Sequence, residues 1–475
     1  MSLGKSFLWS AIERFSIQIV QFVVGVILAR ILGPSEYGVL GILLLVNSFL
    51  QVFIDSGFSK ALIQKQDRTH VDISSVFIFN LLIGLISYLL LFLSAPVIER
   101  FYEVPKLAIY IRTIGFSLIL NSFFAISQTR FIIALNFKII AKVNFISALI
   151  SGVIAVFLAY NGYGIWALIY QVLLKSSVSF ILFFILDKER AGFKFSLASL
   201  QSLFGFGSNV LISSLLNNVT NNLSALFIAK IINTKSLGFY TQGTQFTDVA
   251  FNTINLIYEN VLMPSFVKIK DNLELLKVQF IKVLNISIIV LTPIFLFLCV
   301  FASPIIQLVL SEKWLPAAPI VQFFALSRLI SILANINISL LYSLGHANLV
   351  LKQQYFKIIV RIVFISIALP FGIYYVAFAE LLSTIVHFFI NTYYPGKILK
   401  ISGIKQIMLN YKVFISASGI LFSGLIVNQF TQKPILELII GFVLAMLLYV
   451  VFLRLLRVQD FIKLIKHKWK IGNML

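Results

Sequence analysis

Apolar stretches of about twenty residues recur from one end of this chain to the other, and no segment between them exceeds about twenty residues. A helix needs about that length to cross the hydrocarbon core of a bilayer, where only helices and closed barrels satisfy every backbone polar group. The stretches are too long and continuous for barrel strands. The 475 residues are 60% hydrophobic and 12% charged, far from the roughly 25% charge of a soluble domain. The expected fold is an all-α integral membrane protein with about 14 transmembrane helices, near residues 6–32, 36–62, 74–98, 107–133, 137–160, 163–186, 200–231, 236–264, 278–310, 317–343, 348–370, 372–394, 410–428 and 434–456.

Charge orients these spans. The formal net charge of +21 would suggest nucleic acid for a soluble chain, but here the basic residues alternate between loops as the positive-inside rule requires. Lys60, Lys65 and Arg68 fall on the same side as Arg130, Lys138 and Lys142, and as Lys188, Arg190 and Lys194. Loops 161–164 and 371–375 hold no basic residue. Both termini are therefore expected in the cytoplasm, and no nucleic-acid partner is expected. The start of the chain carries Glu13 and Arg14 within an apolar stretch and does not read as a cleavable signal. The tail 454–470, rich in basic and apolar residues, suits a helix lying on an anionic inner surface. Cys299 is the only cysteine and cannot form an internal disulfide. With short loops, scattered histidines and no nucleotide motif, the chain reads as a non-enzyme without cofactor or metal.

An internal repeat is visible. LGPSEYGVLG (32–41) links the first two spans and INTKSLGFYT (232–241) the seventh and eighth, with Gly38 aligned to Gly238. ALIQKQD and SFVKIKD then end the second and eighth spans, and YEVPKL and KWLPAA occupy equivalent outer loops. Six spans per repeat give both halves the same orientation. The expected layout is an N-lobe at 1–199, a C-lobe at 200–396, the two lobes around a central cavity, and two added spans with a basic tail at 397–475.

LARILGPSEYGVLG (28–41) and DSGFSKALIQKQD (55–67) resemble the polysaccharide transporter family, the O-antigen and colanic-acid-type flippases of the multidrug/oligosaccharidyl-lipid/polysaccharide exporter superfamily. The resemblance implies transfer of an undecaprenyl-pyrophosphate-linked oligosaccharide from the inner to the outer leaflet of the bacterial inner membrane. Alternating access between two six-helix lobes would carry it out, in the assembly of a surface polysaccharide. Partners expected with it are the lipid-linked substrate, membrane lipids, a coupling proton or sodium ion, and the polymerase and glycosyltransferases that handle the same glycan.

Polar side chains run along single faces of several spans. Thr241, Gln245, Asp248, Asn252, Asn255 and Glu259 alternate by steps of four and three on the eighth span; Asn47, Gln51, Asp55 and Ser59 step by four on the second. The seventh carries Ser213, Asn217, Thr220 and Ser224 with Asn218, Asn221 and Asn222 beside them, and the first has Glu13, Ser16 and Gln21. Amides against lipid would be unsatisfied at several kcal/mol each, so these rows must face protein or water. Amides and hydroxyls both donate and accept, which suits a sugar; the competing reading is a seam that only joins helices. Among intramembrane charges, Arg361 and Glu380 sit at similar depth on consecutive spans and are expected to pair, while Arg14 has Asp55 as its candidate partner. Arg112 is placed at the outer interface and His387 as a packing residue. Lys175 and Arg328 show no obvious sequence partner and, with Arg14, are candidates to attract a pyrophosphate or acidic sugar. Asp248 and Glu259 are the candidates for ion coupling. The candidate cavity set is thus Arg14, Asn47, Gln51, Lys175, Asn217, Asn221, Gln245, Asp248, Asn252, Asn255 and Arg328. Two alternatives differ in chemistry: a proton- or sodium-coupled small-molecule exporter, which needs a carboxylate ion site, and a glycan polymerase or ligase, which needs a large outer loop.

Overall fold

The computed structural model describes residues 18–55, 57–65, 67–188, 192 and 194–466, and every regular element among the described residues is helical. In chain order these are α1 (Gln18–Ile31), α2 (Pro34–Asp55), α3 (Gly57–Gln64), α4 (His70–Tyr102), α5 (Leu107–Ile133), α6 (Phe137–Tyr160), α7 (Ile165–Leu186) and α8 (Leu197–Phe227). A π-helical turn, Ile228–Ile232, leads into α9 (Thr234–Val267). There follow α10 (Leu273–Val300), α11 (Ala302–Val309), α12 (Ala318–Ser343), α13 (Ala347–Ala368), α14 (Ile373–Leu399), α15 (Gly403–Leu409), α16 (Tyr411–Phe430), α17 (Pro434–Leu455) and α18 (Gln459–Lys466).

Among the described residues, 11 helices are long and apolar enough to cross a membrane. The other expected spans fall on α1, which is short as described, and on α8 and α9, which run 31 and 34 residues but are polar. The expected total of 14 is not reached on length and apolarity alone. One expected span is also divided. Pro304 explains the break: its ring meets the carbonyl four residues back, at Val300, where α10 stops and α11 begins. The span expected at 36–62 is covered by α2 and α3, on either side of residue 56, which lies outside the described residues. Segment 395–409, expected as a connection, holds α15, whose first turn is capped by Ser402 Oγ accepting from the Lys405 amide at 3.3 Å. The tail expected as an interfacial helix contains α18; residues 467–475 lie outside the described residues.

The helices are packed inside out relative to a soluble protein. On α4, Gly84, Ser87 and Ala95 are buried while Leu82, Leu85, Leu89 and Leu93 are exposed. Small residues let helix backbones approach, and the large apolar side chains meet a solvent as oily as themselves. Contiguous apolar surface of this extent would not persist in water.

The chain forms two compact units, Met1–Gly238 and Phe239–Leu475. In the first, α8 packs on α2 and α3, although the sequence repeat assigns it to the second half. Phe58, Leu62, Val76, Ile126, Leu200 and Leu203 make the shared core of α3, α4, α5 and α8. Polar contacts fix the same corner. Thr69 and Asp72 cap the start of α4 reciprocally, the Asp72 amide donating to Thr69 Oγ1 at 3.2 Å and the Thr69 amide to the Asp72 carboxylate at 2.8 Å. That carboxylate also pairs with Lys65 at 2.9 Å and accepts from Ser199 Oγ on α8. In the second unit a larger core joins α9, α10, α12, α14, α16 and α17, from Phe266 and Phe280 to Ala445 and Tyr449.

The repeat has a physical meeting point within the first unit. α2 and α9 begin at Pro34 and Thr234, and Gly38 and Gly238 sit one turn into each helix. A methyl group on Gly38 would strike the Thr234 carbonyl oxygen, and one on Gly238 would strike the Pro34 carbonyl. The two equivalent glycines therefore face each other's first turn at one close backbone crossing, the approach that small residues permit.

Candidate functional site

The polar row of the second span is largely committed to neighbouring helices. Asn47 on α2 is buried and its Nδ2 donates to Ser117 Oγ on α5 at 3.4 Å. One turn on, Gln51 Oε1 accepts from Asn121 Nδ2 of α5 at 2.8 Å. Ser59 on α3 accepts from Asn80 of α4 at 3.4 Å. Ser48 and Asn218 of α8 exchange bonds: the hydroxyl donates to Asn218 Oδ1, and Asn218 Nδ2 to the Ser48 carbonyl, both at 3.4 Å. Along this stretch the side chains bond to neighbouring helices as a helix-joining seam would, while the buried Asn47 Oδ1 has no hydrogen-bond partner among the described residues.

The second unit repeats the arrangement with stronger chemistry. On α9, Asp248 pairs with Arg328 of α12 at 2.6 Å, and Asn255 Oδ1 accepts from Asn335 Nδ2 of α12 at 2.7 Å. Within each unit the two rungs have one sequence separation: 70 residues for Asn47–Ser117 and Gln51–Asn121, and 80 for Asp248–Arg328 and Asn255–Asn335. A constant separation means the paired helices run parallel, as spans two apart must. The expectation that Arg328 lacks a partner is corrected. The reason is that Asp248 lies 80 residues upstream, where no short-range pattern reveals it.

Arg328 is held without being sealed. Its guanidinium lies 5.0 Å from the Phe251 ring and 5.4 Å from the Phe324 ring, and the Arg328 and Asp248 side chains keep 24% and 34% of their surface. Aromatic faces and a carboxylate fix a planar cation in orientation. An arriving phosphate can compete for the same fork of N–H groups.

Exposed and half-buried amides lie near this pair and on α8. Asn252 is exposed and Gln245 half-buried, both within one turn of Asp248 on α9. On α8, Asn217 and Asn221 are exposed, while Asn222 donates to the Asn218 carbonyl at 3.0 Å and Thr220 and Ser224 are buried. The side chains of Asn221 and Asn252 make no hydrogen bond among the described residues. Exposed amides belong next to water, since hydrocarbon offers them nothing.

Lys175 on α7 is half-buried and its ammonium has no ion pair or hydrogen bond among the described residues. Arg14 and the side chains of Glu259 and Asp55 lie outside the described residues, so the Arg14–Asp55 pairing and the Glu259 ion role lie there too. Arg361 and Glu380 pair at 2.8 Å between α13 and α14. His387 Nε2 lies 2.9 Å from the Lys357 carbonyl. Arg112 is folded onto Phe92, over its ring at 4.3 Å.

Sequence reasoning missed Ser117, Asn121 and Asn335, the receiving ends of the rungs. It also missed a buried amide chain in the second unit. Asn337 and Gln406 exchange bonds at 3.1 and 3.0 Å, Asn410 donates to Asn285 at 2.8 Å, and Asn285 donates to Asp460 of α18 at 2.8 Å. The available signal was an Asn or Gln in an otherwise apolar span, which demands a partner.

Residues 27–319 match a family described as "Polysaccharide biosynthesis protein". The chain is 28% identical over 343 residues to the teichuronic acid biosynthesis protein TuaB of Bacillus subtilis, covering 72% of this chain and 71% of that one. It is 28% identical over 359 residues to the lipopolysaccharide biosynthesis protein WzxC of Escherichia coli, with 74% and 71% coverage. The fold resembles that of the lipid II flippase MurJ in an inward closed conformation, with a TM-score of 0.72, 14% identity, and coverage of 94% of this chain and 99% of that one.

Proposed function

Because this chain belongs to the polysaccharide biosynthesis protein family, we propose that it is a flippase. It moves an undecaprenyl-pyrophosphate-linked oligosaccharide from the inner to the outer leaflet of the bacterial inner membrane, for surface polysaccharide assembly. The observation that carries this reading is the pairing of a held but accessible arginine with unspent amides: Arg328 beside Asp248, and Gln245 and Asn252 on the same helix. The charged head group would engage Arg328 and the sugar hydroxyls would exchange bonds with the amides. Curated relatives named for teichuronic acid and lipopolysaccharide biosynthesis favour this substrate class over a small-molecule exporter. The MurJ likeness supports the fold, and a fold alone does not choose a substrate.

In this reading the repeats 1–199 and 200–396 alternate access, 397–475 stands outside the moving pair, and both termini face the cytoplasm. Asn217, Asn221 and Lys175 contribute to the path. Asp248 releases Arg328 when an anion or a coupling proton or sodium ion arrives, and a polymerase and glycosyltransferases act before and after transport. The membrane potential assists even without a coupling ion, by about 2.3 kcal/mol per charge per 100 mV moved outward. The chain works as a transporter, not as an enzyme. The test is reconstitution into vesicles with a labelled lipid-linked oligosaccharide and an external glycosidase. The protein should raise the cleaved fraction above the half exposed at the start; a fraction that stays at the protein-free level rejects the proposal.

A further inference from the structure

A second charged surface lies away from the seams, where α13, α14 and α15 meet. Neither 347–368 nor 391–412 contains an aspartate or glutamate, yet these segments hold Lys352, Lys357, Lys397, Lys400 and Lys405. α13 packs on α14 and α14 on α15, so the lysines share one end of a helix cluster. Lys352, Lys397, Lys400 and Lys405 are exposed, and the Lys357 ammonium has no ion pair or hydrogen bond among the described residues. The Lys397 ammonium lies 4.5 Å over the Tyr393 ring, and Lys352 is within electrostatic reach of the same tyrosine.

The apolar side chains beside them identify the medium. α15 is reversed relative to a soluble helix: Gln406 is 1% exposed and bonded to Asn337, whereas Ile404 and Met408 are 59% and 66% exposed. Phe356 and Ile359 of α13 are likewise exposed. A short helix that turns its amide inward and its apolar side chains outward, among lysines and no acid, is built for the boundary between acyl chains and head groups. Aqueous protein partners would not leave this oily rim uncovered.

We propose that the lysine-lined end of α13, α14 and α15 binds the phosphate head groups of anionic phospholipids in the inner leaflet. Phosphate oxygens complete the charge that the chain leaves uncompensated, Tyr393 stacks under Lys397 at the glycerol level, and Ile404 and Met408 enter the acyl region. The site is independent of substrate transfer.

The test uses the full-length protein in mild detergent, titrated with phosphatidylglycerol or phosphatidylcholine and read by native mass spectrometry. Wild type should retain phosphatidylglycerol at least about tenfold more tightly. The triple variant Lys397→Gln/Lys400→Gln/Lys405→Gln should lose that preference, at about fivefold per lysine. A charge-matched control, Lys188→Gln/Lys268→Gln/Lys270→Gln, should keep it. Equal loss in the control, or no preference in wild type, overturns the proposal, because the lysines would then serve orientation alone. If the triple variant does not fold, Lys397→Gln and Lys405→Gln singly are each expected to weaken phosphatidylglycerol binding about fivefold, and unchanged binding in both overturns it equally.

Discussion

Replacing Gly38 with alanine tests the glycine crossing directly. The added methyl meets the Thr234 carbonyl oxygen, which is backbone and cannot swing aside as a side chain would. Relief requires the start of α2 and the start of α9 to part. Overpacking of this kind costs about 1–3 kcal/mol, opposed by about 0.5–1 kcal/mol gained when glycine becomes alanine within a helix. Gly205 on α8 supplies the control: a methyl there meets nothing within 4 Å, so Gly205→Ala reports the propensity gain alone. The difference between the two variants should therefore be about 1–3 kcal/mol, read as unfolding free energy in a detergent-to-dodecyl-sulfate titration. Gly238→Ala should match Gly38→Ala, because its methyl strikes the equivalent Pro34 carbonyl. The double variant should cost less than the sum, since the second methyl enters a crossing already opened. Gly38→Ala as benign as Gly205→Ala, or strict additivity of the pair, would refute the reciprocal contact.

Other outcomes follow from the polar contacts. Glu380→Gln leaves Arg361 uncompensated beside a carboxylate position only 3% exposed, and should cost about 3–5 kcal/mol in the same titration, most of it recovered in Arg361→Met/Glu380→Leu. Gln406→Leu strips the donor from Asn337 Oδ1 in the core and leaves its Nδ2 only the Leu333 carbonyl, and should cost about 1–3 kcal/mol, whereas Asn337→Leu/Gln406→Leu should cost much less; equal losses would show that the Leu333 bond alone satisfies Asn337. Glu103, outside the spans, is held below the usual carboxylate range by its hydrogen bond from Lys230 and then by that charge. A depressed carboxylate contributes above its unfolded value and loses that contribution as pH falls through the folded one. Hydrogen exchange in the Ile228–Ile232 turn, which carries Lys230, should therefore quicken between pH 5 and 3, beyond the intrinsic pH effect, in wild type and not in Glu103→Gln.

Periodicity made the helices and the faces of the polar rows legible, because a stripe at steps of three and four has one structural meaning. It also gave the Arg361–Glu380 pair, where two charges at matching depth on consecutive antiparallel spans have few other choices. Spacing does not say which neighbour a face meets. Asp248 and Arg328 belong to helices separated by a whole span, so their pairing emerges only once α9 and α12 are placed side by side. For the same reason the row Asn47, Gln51 reads equally as solvent-facing or helix-joining until Ser117 and Asn121 are seen opposite it. The short α15 escaped because seven residues are too few for a period to establish itself, and the break at Pro304 was readable but hidden within a long apolar run.

The rungs linking helices two apart also constrain how the protein is made. When α2 leaves the translocon, Asn47 does not yet have its bonding group, since Ser117 is still unsynthesised on α5. Release into acyl chains at that moment would strand that amide in hydrocarbon. Biogenesis of each half must therefore hold its early segment in a proteinaceous or hydrated shelter until α5, and in the second half α12, has emerged, so that insertion proceeds by parcels of several helices instead of one at a time.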